Sequence, residues 1–229
     1  MRENVDRIYE SGVFNLIRYN EEVPIYDSGS FFSPPFHIGE ELAYESYKLL
    51  CKEGRLDAVE SISIWNNNAD QTNYLGEFTN VIHLEILNSQ CKSPVWISKL
   101  TNLKRLSIVS TPVEDAIWLK EIKGLQYLVL HDCPISDLSV IRELEEILTL
   151  KLVDVDICDI EFIENLCHIL YFQLVGCPID DYSPLLRMNP LDYLEIDQKA
   201  VEALGMENII KHHPNAVIKV QTIIENRKV

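Results

Sequence analysis

Apolar side chains recur along this chain with a period of 22 residues. Let the frame start at Leu56, Phe78, Leu100, Ile122, Leu144, Leu166 and Met188. Three places on stand Val59, Val81, Leu103, Leu125, Ile147, Ile169 and Leu191. Six places on stand Ile62, Leu84, Leu106, Leu128, Leu150, Phe172 and Leu194, and eight places on Ile64, Ile86, Ile108, Leu130, Leu152, Leu174 and Ile196. All 28 positions are apolar against a background of 47%, an agreement that chance gives about once in a billion trials.

Each unit therefore carries the same local instructions. Its alternating end, as in Leu106 and Ile108, predicts a short strand with one buried face. The spacing of three through Ile157, Ile160 and Ile163 predicts a 3₁₀-like return. Eleven residues into the units come Asn67, Ser89, Thr111, Cys133, Val155 and Cys177. In a stacked coil this position turns inward, where a polar side chain bonds the backbone of neighbouring turns; Val155 has no donor for that role. Pro112, Pro134 and Pro178 follow the inward position, which suits an extended segment with no N–H to donate.

The unit L-x-x-L-x-x-L-x-L-x-x-[NC]-x-I-x-x-I-x-x-L is clearest in LTNLKRLSIVSTPVEDAIWLKE (100–121) and IKGLQYLVLHDCPISDLSVIRE (122–143). It resembles bacterial leucine-rich repeat proteins with 22-residue repeats of the internalin type. The resemblance implies an α/β solenoid: a right-handed array with a parallel concave sheet, a 3₁₀ or loop convex side, and caps at both ends. It also implies recognition through the concave surface, although such arrays serve many unrelated binding roles.

Three segments are expected: an N-terminal cap over 1–55, seven repeats over 56–197, and a C-terminal cap over 198–229. In the N-terminal cap, residues 40–53 read as a helix that Gly54 ends. Before it, Val5, Ile8, Tyr9, Val13, Leu16 and Ile17 fit a helical stripe, while Gly12 and EEVPIYD leave a strand pair open; DSGSFFSPPFHIG reads as a loop. In the C-terminal cap, QKAVEALGMENIIKHH predicts one or two short helices, and Ala216–Gln221 a strand extending the sheet edge.

Charge narrows the function classes. The chain has a formal net charge of −16, which opposes phosphate binding and so excludes nucleic acid as the expected partner. No run of eighteen or more apolar residues is present, so no membrane partnership is expected. MRENVDRIYE lacks an apolar signal core, and the six cysteines form no C-x-x-C pair, which together suggest a reduced, cytoplasmic protein. Cys133 and Cys177, two repeats apart at about 4.8 Å per strand, are too distant for a disulfide.

No catalytic motif, metal-ligand spacing or cofactor-binding glycine loop appears, so an enzyme, a metal site and a cofactor are not expected. His212 and His213, adjacent on a predicted helix, point apart and make a poor metal pair.

The informative residues have no core duty. Nine residues into each unit, just after the predicted strand, stand Trp65, Leu87, Val109, His131, Val153, Val175 and Asp197. The column from Trp65 to Val175 spans about 24 Å at the strand spacing and is mostly apolar. A second column, five residues in, runs Ser61, His83, Arg105, Tyr127, Thr149, Tyr171 and Tyr193. Between them lie Glu85, Val129, Lys151, Gln173 and Glu195, with Asp132 and Asp154 at the margin. Aromatic rings beside an apolar stripe with a charged rim match the centre of a protein interface; Tyr193 and Asp197 are also expected to touch the cap.

Fifteen acidic residues against three basic ones give residues 132–197 a charge of −12. The expected function is therefore a non-enzymatic module that binds a protein partner with a basic surface on its concave face. An intracellular inhibitor or immunity protein that neutralises a toxin or nuclease, and a scaffold or regulatory subunit of a larger enzyme, are alternative forms of the same logic.

Overall fold

The computed structural model describes residues 47–48, 51–52, 54, 56–65 and 73–222. Eight strands form one parallel sheet in chain order: β1 (Ser61–Trp65), β2 (His83–Leu87), β3 (Arg105–Val109), β4 (Tyr127–Cys133), β5 (Thr149–Val155), β6 (Tyr171–Val175), β7 (Tyr193–Asp197) and β8 (Val217–Gln221). The register advances by one 22-residue unit per strand, so Ser61, His83, Arg105, Tyr127, Thr149, Tyr171 and Tyr193 lie side by side, and Val217 completes the row.

The return path is as regular. 3₁₀ turns occupy Asn73–Glu77, Val95–Lys99, Ile117–Glu121, Ser139–Glu143, Glu161–Asn165 and Ser183–Leu186. Between sheet and turns, residues six and eight places into each repeat are buried, as are Leu100, Leu103, Leu119, Ile141, Ile157, Ile160 and Ile163. No helix among the described residues is long and apolar enough to cross a membrane.

Asn67 lies outside the described residues; from Ser89 onward the inward ladder is as expected. Ser89 and Thr111 are buried; Thr111 Oγ1 accepts from the Ser89 amide at 3.3 Å and donates to the Val109 carbonyl at 3.0 Å. Cys133 and Cys177 direct their thiols at carbonyls of their own repeat (His131, Val175) and of the repeat before (Ile108, Leu152). Burial raises both thiols to about 11, so neither is a thiolate nucleophile at neutral pH. None of the six cysteines forms a disulfide.

A second column, ten residues into the repeat, sets the bend that takes the chain out of the sheet. Asn88, Ser110, Asp132, Asp154 and Gly176 all have positive φ, between 47° and 73°. Asn, Asp and Gly are the residues that tolerate this left-handed region. At Gly176 the Asp154 carboxylate occupies the space a Cβ would need. Gly176→Ala should therefore cost about 1 kcal/mol in chemical denaturation and displace Asp154.

At the C-terminal end the repeat gives way to α1 (Gln198–Leu204) and α2 (Met206–His212), broken by Gly205 at φ 79°. Asp197 caps α1, its Oδ1 accepting from the Ala200 amide at 3.2 Å. The paired histidines close the core. His213 Nδ1 accepts from the Leu191 amide at 3.2 Å and its Nε2 lies 2.9 Å from the Leu185 carbonyl; His212 Nε2 lies 2.7 Å from the Met188 carbonyl. They serve the cap.

Of the expected 40–53 helix, residues 47–48 and 51–52 are described and helical, followed by Gly54 at φ 63°. The stripe-or-strand segment and the Phe/Pro-rich loop before it lie outside the described residues.

Candidate protein-binding face

The outward side of β1–β7 displays the residues five, seven and nine places into each repeat. The ninth residues end their strands, rather than following them as the sequence pattern suggested; β4 and β5 run two residues further. Leu87, Val109, His131, Val153 and Val175 are all partly exposed. Beside them the parallel register aligns the fifth residues into a row of stacked planes and cations.

Arg105 Cζ lies 4.6 Å from the centre of the Tyr127 ring. Lys151 Nζ lies 5.8 Å from that ring and 4.9 Å from Tyr171. Tyr171 stacks on Tyr193 with centroids 4.1 Å apart and planes 5° from parallel. Arg105, Tyr127, Lys151, Tyr171 and Tyr193 thus form one ladder across five strands, each cation–ring step contributing about 0.5–1 kcal/mol at an exposed site. His83 and Glu85 form a pair at 3.5 Å, and the His83 hydrogen bond holds the Glu85 carboxyl below its usual range.

Several expected interface residues have other duties. Val129 is only 8% exposed, because it lies in the middle of the sheet face, and it offers little contact area. Glu195 is buried: Lys219 and Gln221 of β8 and the Tyr193 hydroxyl all reach its carboxylate. Burial alone would raise its pKa, but the bonds from Gln221, Lys219 and Tyr193 outweigh that and lower it. Both residues are thus corrected from partner contacts to internal ones. Tyr193 and Asp197 do touch the cap, as expected. For Trp65 only the backbone strand is described.

The acidic charge lies at the margin of the sheet and on the turns. Asp132 and Asp154 occupy the left-handed bend, and Asp154 lies 3.7 Å from His131. Asp137, Asp159 and Asp181 accept from the amides of Ser139, Glu161 and Ser183 at 2.7–2.8 Å, fixing the start of three successive 3₁₀ turns. Glu143, Glu146 and Glu164 pair with Lys123, Lys104 and Arg187. The negative field therefore frames the sheet at its margins and turns. Across the outward positions of β1–β7, Arg105 and Lys151 are the two permanent cations, and Glu195 and Asp197 are buried.

Two features escaped the sequence pattern. The left-handed column was visible as a run of Asn, Ser, Asp, Asp and Gly. The link from Lys219 to Glu195 had no such signal, because β8 follows the helices outside the 22-residue frame.

No group of three or more metal-ligating side chains occurs among the described residues. A 430 Å³ hollow on the turn side is lined by Arg142 and by Asp137, Asp159, Glu164 and Arg187 among others, and these last four are already engaged in turn capping and ion pairs.

The architecture is that of a leucine-rich repeat solenoid with internalin-type repeats. Neither a protein-family model nor a curated protein matches the sequence significantly. Among solved structures, an internalin, InlF, from Listeria monocytogenes aligns over 73% of this chain and 56% of its own length, at 18% identity and a TM-score of 0.59. Internalin C2 from the same organism aligns over 76% of this chain and 77% of its own, at 19% identity and a TM-score of 0.60. A leucine-rich repeat protein from Leptospira interrogans aligns over 75% of this chain and 46% of its own, at 17% identity and a TM-score of 0.55. This chain spans little more than half of InlF and less than half of the Leptospira protein.

Proposed function

We propose that this chain is a non-catalytic module that holds a protein partner on its concave sheet face. One observation carries the reading: a register-locked row of half-exposed aromatic and apolar residues that the core does not require. Curved repeat arrays present such surfaces to partners, and rigid aromatic rings contribute most where they are already ordered. The acidic margins attract a partner of basic overall charge and speed its approach. Six cysteines with no disulfide among them suit a reducing compartment such as the cytoplasm.

The test is affinity capture with paired variants. Tyr127→Ala combined with Val153→Asp should weaken retention of the captured partner at least about tenfold. Ile117→Asp, on the turn side, should leave it unchanged, and rising salt should weaken it by screening the margins. Undiminished capture by the double variant would remove the concave-face reading. Salt-independent capture would remove the electrostatic part alone.

A further inference from the structure

We propose that Arg105 and Lys151, flanking the Tyr127 ring, form a socket for a carboxylate of the protein partner. The inference rests on the concave-face reading and adds the chemistry of one contact within it.

In a chain of 36 acidic and 20 basic residues, cations are expected to find carboxylates. Lys92, Lys104, Lys123, Arg187 and Lys219 do so, while Lys99, Lys120, Arg142, Lys199 and Lys211 form no ion pair among the described residues but stand exposed to water. Arg105 and Lys151 form no ion pair among the described residues, although both are only partly exposed. Their companions are tyrosine rings. A ring orients a cation without cancelling its charge or using its N–H donors.

Arg105 Nε is buried and has no hydrogen-bond partner. Such a donor carries a desolvation cost that an incoming acceptor would relieve once the guanidinium turns toward it. The charge of Arg105 acts weakly on Glu85, whose carboxylate is held by its hydrogen bond to His83. Glu195 is likewise taken by Lys219 and Gln221. The sheet thus keeps two ordered cations about two strand spacings apart, close to 10 Å, with an aromatic floor between them. A carboxylate arriving beside Tyr127 would gain a charge-assisted bond from one cation and the attraction of the other, while its neighbouring apolar side chain would meet Val109 and Val153. The partner is then basic overall, matching the margins, with one acidic anchor at its centre.

The test uses tetraglutamate, with tetralysine as control, titrated into the full chain at physiological salt, where the distant acidic margins are screened beyond about 8 Å. The readout is the Arg105 Nε–H resonance in ¹⁵N NMR. Tetraglutamate should shift it, tetralysine should not, and Lys151→Gln should weaken the response at least about threefold. A resonance that tetraglutamate leaves in place, or an equal response in the Lys151→Gln protein, overturns the socket. With the captured partner, Lys151→Glu should reduce affinity about tenfold or more. If capture needs Tyr127 and Val153 but ignores Lys151→Glu, the socket fails and the concave-face reading stands. If tetraglutamate binds but capture ignores Tyr127 and Val153, the concave-face reading fails, and the socket with it as a contact of the partner.

Discussion

Phe172→Ala should lower the unfolding free energy by about 3–5 kcal/mol. Phe172 is fully buried and pairs in register with Leu150 on one side and Leu194 on the other. In a stacked array each repeat is stabilised mainly by its two neighbours. A cavity in β6 therefore weakens both of its interfaces and threatens to uncouple the C-terminal cap from the centre. Urea denaturation followed by circular dichroism measures the cost. A loss below about 1 kcal/mol would show that the array collapses into the gap and that its core is less rigid than the register implies.

The second large effect concerns His213. Its ring is buried, accepts from the Leu191 amide and bonds the Leu185 carbonyl. Burial foremost, with the charge of neighbouring His212, holds its pKa below the ordinary histidine value, against the opposing influence of the Leu185 carbonyl. The folded chain therefore needs a neutral ring. Above pH about 6.5 both folded and unfolded chains carry it neutral, and its contribution is complete. As pH falls below that value the unfolded chain takes up a proton that the folded chain resists, so stability declines. His213→Ala should cost about 2–4 kcal/mol at neutral pH, since it strands an amide and a carbonyl. It should also flatten the decline in stability below pH about 6.5. An unchanged slope between pH about 6.5 and 5 in the variant would contradict this, because Asp137 and Asp181, whose carboxyls are held low by Ser139 and Ser183, weaken the fold only at lower pH.

The fold was legible because its instructions repeat. One residue pair such as Leu106 and Ile108 says little, but seven copies in fixed register leave no other arrangement that buries all of them. The β8 strand was legible for a related reason, since AVIKVQ alternates after two short helical segments. What the repeat pattern could not show was how residues outside its frame complete the ends. Lys219 reaches Glu195 and His213 reaches Leu191 across 24 and 22 residues of a cap with a periodicity of its own. The same limit applies to charge. Asp137, Asp159 and Asp181 were readable as turn residues, but not that their carboxylates accept from the amides that start the 3₁₀ turns. The candidate face was readable as columns. The Arg105–Tyr127–Lys151 ladder was not, because Lys151 stands two places further along its own repeat than the rings it touches, a diagonal that only the strand register reveals.

The central claim is that the partner is held by the concave sheet face. Site-specific photo-crosslinking tests it most directly, with a benzophenone amino acid placed singly at Gln173 or Leu87 on the sheet, and at Ile117 or Ser139 on the turns. The account predicts that the captured partner crosslinks from Gln173 and Leu87 and not from Ile117 or Ser139. Crosslinks confined to the turn positions would contradict it.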